Sequence, residues 1–150
     1  MIPRGQPILL VEDSPEDRTT TIRALVRAGL ANPIFECEDG DSALDFLHRR
    51  GRYTDPASAP RPGIILLDLN MPGTDGREVL AEIKSDDHLK RIPVVILTTS
   101  RAEEDVLKTY DLHANCYISK PIDLHQFMRV VKSIEDLWLS IVVLPPDGAK

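Results

Sequence analysis

The chain lacks a basic cluster. Its 18 lysines and arginines are outnumbered by 24 aspartates and glutamates, for a formal charge of −6. Direct nucleic-acid binding normally needs a basic face, so that class is set aside. Long apolar runs are missing too. The densest stretch, Leu137 to Leu144, is far shorter than the roughly 18 residues that a membrane-crossing helix requires. The first residues, Met1-Ile2-Pro3-Arg4-Gly5, hold no apolar signal core. Cysteine is scarce. Cys37 and Cys116 stand alone inside apolar runs, without the paired spacing of metal or redox motifs, and read as reduced core residues of a cytoplasmic protein. With 42% apolar residues the chain is too hydrophobic for disorder, and 150 residues suit one domain around one core.

What is present is a rhythm of short apolar runs and longer stretches of helical period, the pattern of βαβ units with a parallel sheet. The expected strands are Ile8–Val11, Ile34–Cys37, Ile64–Leu67, Val94–Leu97 and Cys116–Ile118. Ser14 caps a first helix whose apolar stripe is Ile22, Leu25, Val26 and Leu30. Asp41 is expected to cap a second helix, with Leu44 and Leu47 inward, and a third runs around Arg77 to Ser85. Ser100 and Glu103 form a capping box for a fourth, and a long fifth starts near Asp123. Arg49 to Pro62 is rich in proline and reads as a surface loop without an element of its own. His48, His88, His113 and His125 are scattered, and Asp86-Asp87-His88 reads as surface.

In a doubly wound sheet, ligands sit beyond the carboxyl ends of the strands. Glu12 and Asp13, Asp68, Thr98 and Lys120 all fall there. Carboxylates crowded together either take up a cation or hold a proton, and hard oxygen ligands suit Mg²⁺. The plain alternative is a set of loop-end surface charges.

Glu12-Asp13, Asp68 with Asn70-Met71-Pro72, Thr98 and Lys120-Pro121 together resemble the signature of response-regulator receiver domains. The resemblance runs from about Pro7 to Leu137. It implies a flavodoxin-like α/β fold, with a five-stranded parallel sheet in the order 2-1-3-4-5 and a long C-terminal helix and tail. By the same resemblance Asp68 is the phosphoryl acceptor. Glu12, Asp13, Asp68 and the backbone carbonyl of Asn70 hold Mg²⁺, with Mn²⁺ as a substitute. Lys120 pairs with the phosphoryl group, Thr98 donates its hydroxyl to it, and Tyr117 is the switch aromatic. Thr99 narrows access to Asp68, and Lys120-Pro121 is a cis peptide. The extra residues between Asp13 and Asp68 fall in the 49–62 loop.

The implied function is that of a stand-alone regulator. It would be phosphorylated by a histidine kinase and would act by changed protein contacts, with no catalysis beyond handling its own phosphoryl group. The 49–62 insertion and the tail resemble the regulators paired with phytochrome-type photoreceptor kinases. The rival readings are a phosphorelay intermediate and an aspartate-nucleophile phosphatase. Such a phosphatase usually carries a second aspartate two residues after the nucleophile, where Asn70 stands here. The expected organisation is an N-terminal extension over 1–6, a receiver over 7–137, an apolar extension over 138–150 and no output domain. The apolar spacing through Phe127, Leu137, Trp138 and Ile141 suggests a homodimer through the last helix and its tail.

Overall fold

Four residues in a row without a polar side chain, as in Ile8–Val11, suit a strand covered on both faces. A computed structural model describes residues 6–27, 31–69, 76–98, 116–119, 125–127 and 129. The elements in chain order are β1 (Ile8–Val11), α1 (Pro15–Arg27), β2 (Ile34–Cys37), α2 (Gly40–His48), a 3₁₀ turn (Gly51–Tyr53), β3 (Ile64–Asp68), α3 (Gly76–Ser85), β4 (Val94–Thr98) and β5 (Cys116–Ser119). The strands are parallel in the order β2-β1-β3-β4-β5. This is the doubly wound α/β sheet expected from the sequence.

Strand alternation divides the core in two. Ile8 pairs in register with Ile64 and Leu9 with Ile65, so one set of side chains points to each face. Leu9, Val11, Ile65, Leu67, Val94 and Ile96 meet α2 and α3 through Leu44, Leu47, Val79, Leu80 and Ile83. Ile8, Leu10, Ile64, Leu66, Val95 and Leu97 meet Leu25 of α1, with Ile118 and Phe127.

Several local expectations need correction. Val26 is 58% exposed rather than part of the α1 stripe, while Thr21 is buried. The 3.6-residue period turns the inward face of this helix toward Thr21 and Leu25. The α2 cap is Asp39, whose side chain accepts from the Ser42 amide at 2.7 Å, and Asp41 sits in the first turn.

Arg49–Pro62 is not featureless. It holds the 3₁₀ turn, whose Tyr53 ring stands edge-on to Phe46 at 5.3 Å, and it buries Ala59. Arg49 ends α2 in the left-handed region at φ 53°, and its Nε donates to the Ala59 carbonyl at 3.1 Å.

Ser14 does cap α1, accepting from the Asp17 amide at 3.2 Å. His48 is half-buried, its Nε2 lying 3.3 Å from Glu82. Asp86, Asp87 and His88 form a surface turn in which Asp86 accepts from the His88 and Leu89 amides. Cys37 is buried, with Tyr53 Oη 3.9 Å from its sulfur, and burial pushes its thiol up to about 11.

Phe127 also corrects an expectation. It is completely buried in its own domain, beside the sheet residues of the α1 face, so it has no surface to offer a second copy. Residues 125–127 and 129 are helical. The fourth helix, the rest of the fifth and the tail residues Leu137, Trp138 and Ile141 lie outside the described residues.

Candidate functional site

β1 and β3 are neighbours, and each ends at an acid. Asp68 is the last residue of β3, only 5% exposed and in register with Leu97 of β4. Glu12 follows Val11 directly, is buried, and donates its amide to the Cys37 carbonyl at 3.0 Å. Asp13 is half-buried. One carboxylate oxygen from each of Glu12, Asp13 and Asp68 lies within 4.8 Å of the others. The sequence placed these three acids at one edge, and the structure brings them together.

At such separations a pair of carboxylates repels by about 3–4 kcal/mol at an effective dielectric near 20. Burial of Glu12 and Asp68 limits the relief that water can give. Three hard oxygen donors around one point match a divalent cation such as Mg²⁺ or Mn²⁺, which prefer carboxylate, carbonyl and water ligands. The donor set therefore fits the metal that the sequence implied.

The remaining sequence-predicted residues divide between backbone placement and none. Thr98 ends β4 in register with Ser119, one step beyond the Asp68–Leu97 pair, so it belongs to the same edge. Tyr117 is paired with Ile96 on β5. Asn70, Thr99, Lys120 and Pro121 lie outside the described residues.

Two further residues shape the site without having been singled out for it. Arg18 folds back from α1, donating through Nη1 to the carbonyls of Glu12 at 2.7 Å and Asp13 at 3.4 Å. Its Nε lies 3.4 Å from Glu36 of β2. A cation so near a helix N-terminus opposes the helix dipole by about 0.3–1 kcal/mol, which these contacts offset. Side-chain pattern held no sign of Arg18 at this site, because carbonyl acceptors leave no trace in it.

Gly76 is the other. A Cβ there would overlap the Asp68 carbonyl oxygen and sit 2.7 Å from Leu69 Cα. Its amide donates to the Leu69 carbonyl at 3.1 Å. A glycine opening a helix was the available signal.

Comparison with known proteins gives the same direction. The family model described as the response regulator receiver domain matches residues 8–132. The response regulator Rcp1 of Synechocystis is 48% identical over 138 residues, covering 92% of each chain. Its Mn²⁺-bound crystal structure superposes with a TM-score of 0.69 at 47% identity, over 93% of this chain and 99% of that one. The bacteriophytochrome response regulator AtBRR superposes at 0.84 with 40% identity, covering 95% of this chain and 99% of that one. The phosphorylated cyanobacterial phytochrome response regulator RcpA gives 0.71 at 49% identity, over 91% and 95%. With a match that begins at β1 and spans every later element, and with close relatives aligned nearly end to end, the chain belongs to the response regulator receiver domain family.

Proposed function

We propose that Asp68 accepts a phosphoryl group from the phosphohistidine of a histidine kinase. The observation that carries this is the meeting of Glu12, Asp13 and Asp68 within 4.8 Å at the end of the central strands. An Asp68 carboxylate oxygen attacks phosphorus in line, the phosphorus–nitrogen bond breaks, and the imidazole leaves. A divalent cation held by Glu12, Asp13, Asp68 and the Asn70 carbonyl would neutralise charge on the transferred oxygens. Lys120 pairs with the product phosphoryl group and Thr98 donates its hydroxyl to it. Tyr117 then changes position as the switch aromatic, with Thr99 at the entrance and a cis Lys120-Pro121 bond shaping the loop.

The relatives support both chemistry and partner. Rcp1 has been seen with Mn²⁺, RcpA is phosphorylated, and RcpA and AtBRR are phytochrome response regulators. The kinase is accordingly a phytochrome-type sensor, and the setting is the cytoplasm. No described helix is long and apolar enough to cross a membrane. The exposed positions of α1 (Thr19, Thr20, Arg23, Val26 and Arg27) form the face offered to that kinase. Arg18 is excluded from it, since its side chain turns inward.

The working unit is the receiver over 7–137, and two copies pair through Leu137 at its end with Trp138 and Ile141 of the 138–150 extension. A turnover phosphatase is disfavoured, because Asn70 cannot serve as its acid and base. Incubation with labelled acetyl phosphate and Mg²⁺ tests the assignment. Wild type takes up label, and neither chelated protein nor Asp68→Asn does. Equal labelling of Asp68→Asn overturns it.

A further inference from the structure

Adjacent residues on an extended chain point to opposite sides, yet Glu12 and Asp13 both aim an oxygen at one point with Asp68. The backbone between β1 and α1 must be bent and held bent. Glu12 is fixed on one side, where its amide donates to the Cys37 carbonyl at 3.0 Å. The Ser14 amide meets Glu12 Oε2 at 3.4 Å, a longer contact. The short contact on the other side is Arg18 Nη1 to the Glu12 carbonyl at 2.7 Å, with the Asp13 carbonyl at 3.4 Å from the same nitrogen.

We infer that Arg18 is a positioning residue for the divalent-cation site: its guanidinium fixes the Glu12 and Asp13 peptide planes and thereby aims both carboxylates. The inference rests on the reading of the acidic cluster as a cation site, and it assigns the geometry of that cluster to one side chain outside it.

Three features single out Arg18. Its side chain is 17% exposed, so it is committed to these contacts rather than to solvent. It is the fourth residue of α1, where a cation works against the helix dipole, so placement there serves something other than the helix. Its Nε lies 3.4 Å from Glu36 of β2, which anchors the guanidinium to a second strand while Nη1 holds the turn. The three contacts use a planar fork, with donors in fixed relation. A lysine would bring the charge but could not hold carbonyl and carboxylate in the same geometry.

The surroundings of Arg18 are charged. Arg18, Glu36, Glu38 and Arg52 line one open cleft beside the site. Arg52 comes from the 3₁₀ turn of the proline-rich segment and lies over the Tyr53 ring at 5.0 Å. Glu36 is half-exposed, so the anchor of Arg18 can be changed without opening the core.

The test uses the full chain and the variants Arg18→Ala, Arg18→Lys and Glu36→Gln. Calorimetric titration with Mg²⁺ alone is expected to show affinity about 10–100-fold weaker in Arg18→Ala, the usual effect of removing a residue that orients metal ligands. Arg18→Lys is expected to recover only part of this, and Glu36→Gln to show a smaller loss of the same sign. Amide hydrogen exchange in metal-free protein is the second readout. It should speed up at Asp13 and Ser14 in Arg18→Ala, with the β3 amides unchanged. Wild-type Mg²⁺ affinity in Arg18→Ala, or full affinity in Arg18→Lys, overturns the inference. Uniformly faster exchange in β3 as well would mean a general loss of stability and also overturns it. A wild-type chain that binds no Mg²⁺ overturns the cation reading itself, whatever the exchange shows.

Discussion

Gly76 and Asp68 meet backbone to backbone. The first residue of α3 lies so close to the last residue of β3 that no side chain fits between it and the Asp68 carbonyl. The obstructing atoms are all main chain, with Leu69 Cα at 2.7 Å and Leu69 O at 2.9 Å from where a Cβ would stand, so none can rotate away. A side chain at position 76 would therefore force the α3 start and the β3 end apart.

Gly76→Ala is expected to destabilise the fold by about 1–3 kcal/mol, as overpacking does, and to reduce phosphoryl uptake beyond what that loss explains. Arg91→Ala, at an exposed position ahead of β4, is the control, and its stability should change by less than about 0.5 kcal/mol. Urea unfolding of both variants, with labelling of the folded protein, checks the pair. Equal stability losses would contradict the backbone contact.

Cys37 sets an alkaline limit. Its thiol is held neutral up to about 11 in the fold, against 9.0 for a free thiol. Below 9.0 both states are neutral and the contribution is fully present. As pH rises toward about 11 the unfolded chain ionises first, and about 2–3 kcal/mol is lost. Urea midpoints measured across that window should fall more steeply for wild type than for Cys37→Ala. Parallel curves would contradict the shift.

Asp39→Ala is expected to cost about 1 kcal/mol through loss of the α2 cap, and Asp41→Ala distinctly less. Thermal unfolding of the two variants settles which aspartate caps.

Trp138→Glu in the full chain is expected to shift sedimentation from dimer toward monomer at micromolar concentration, with far-ultraviolet dichroism unchanged. A variant that dimerises as tightly as wild type would remove the tail from the interface.

The parts of the fold that were legible in the sequence are those written in side-chain chemistry. Ile64-Ile65-Leu66-Leu67 can hardly be anything but a strand buried on both faces, and Glu12, Asp13 and Asp68 fall at strand ends by simple counting. Where backbone groups decide the outcome, the pattern was silent. Asp39 and Asp41 are equally good caps on paper, and only the extended backbone at Asp39 selects it. Arg18 binds carbonyls, which every residue possesses. Prolines marked 49–62 as irregular, but Tyr53 finds Phe46 across a 3₁₀ turn that no short period announces. Phe127 fitted an apolar stripe equally well facing the sheet or facing a partner, and packing chose the sheet.

β1 and β3 each have a strand on either side and a packed layer above and below, and their apolar residues are almost entirely shielded from solvent. Asp68 and the Glu12 turn are thus mounted on strands that are enclosed on every side among the described residues. Close-packed interiors do not deform gradually, so a charge added at Asp68 cannot be absorbed by sliding these strands. The two acids sit on a closely packed frame, so a change of charge at Asp68 is expected to be relieved outside the sheet rather than within it.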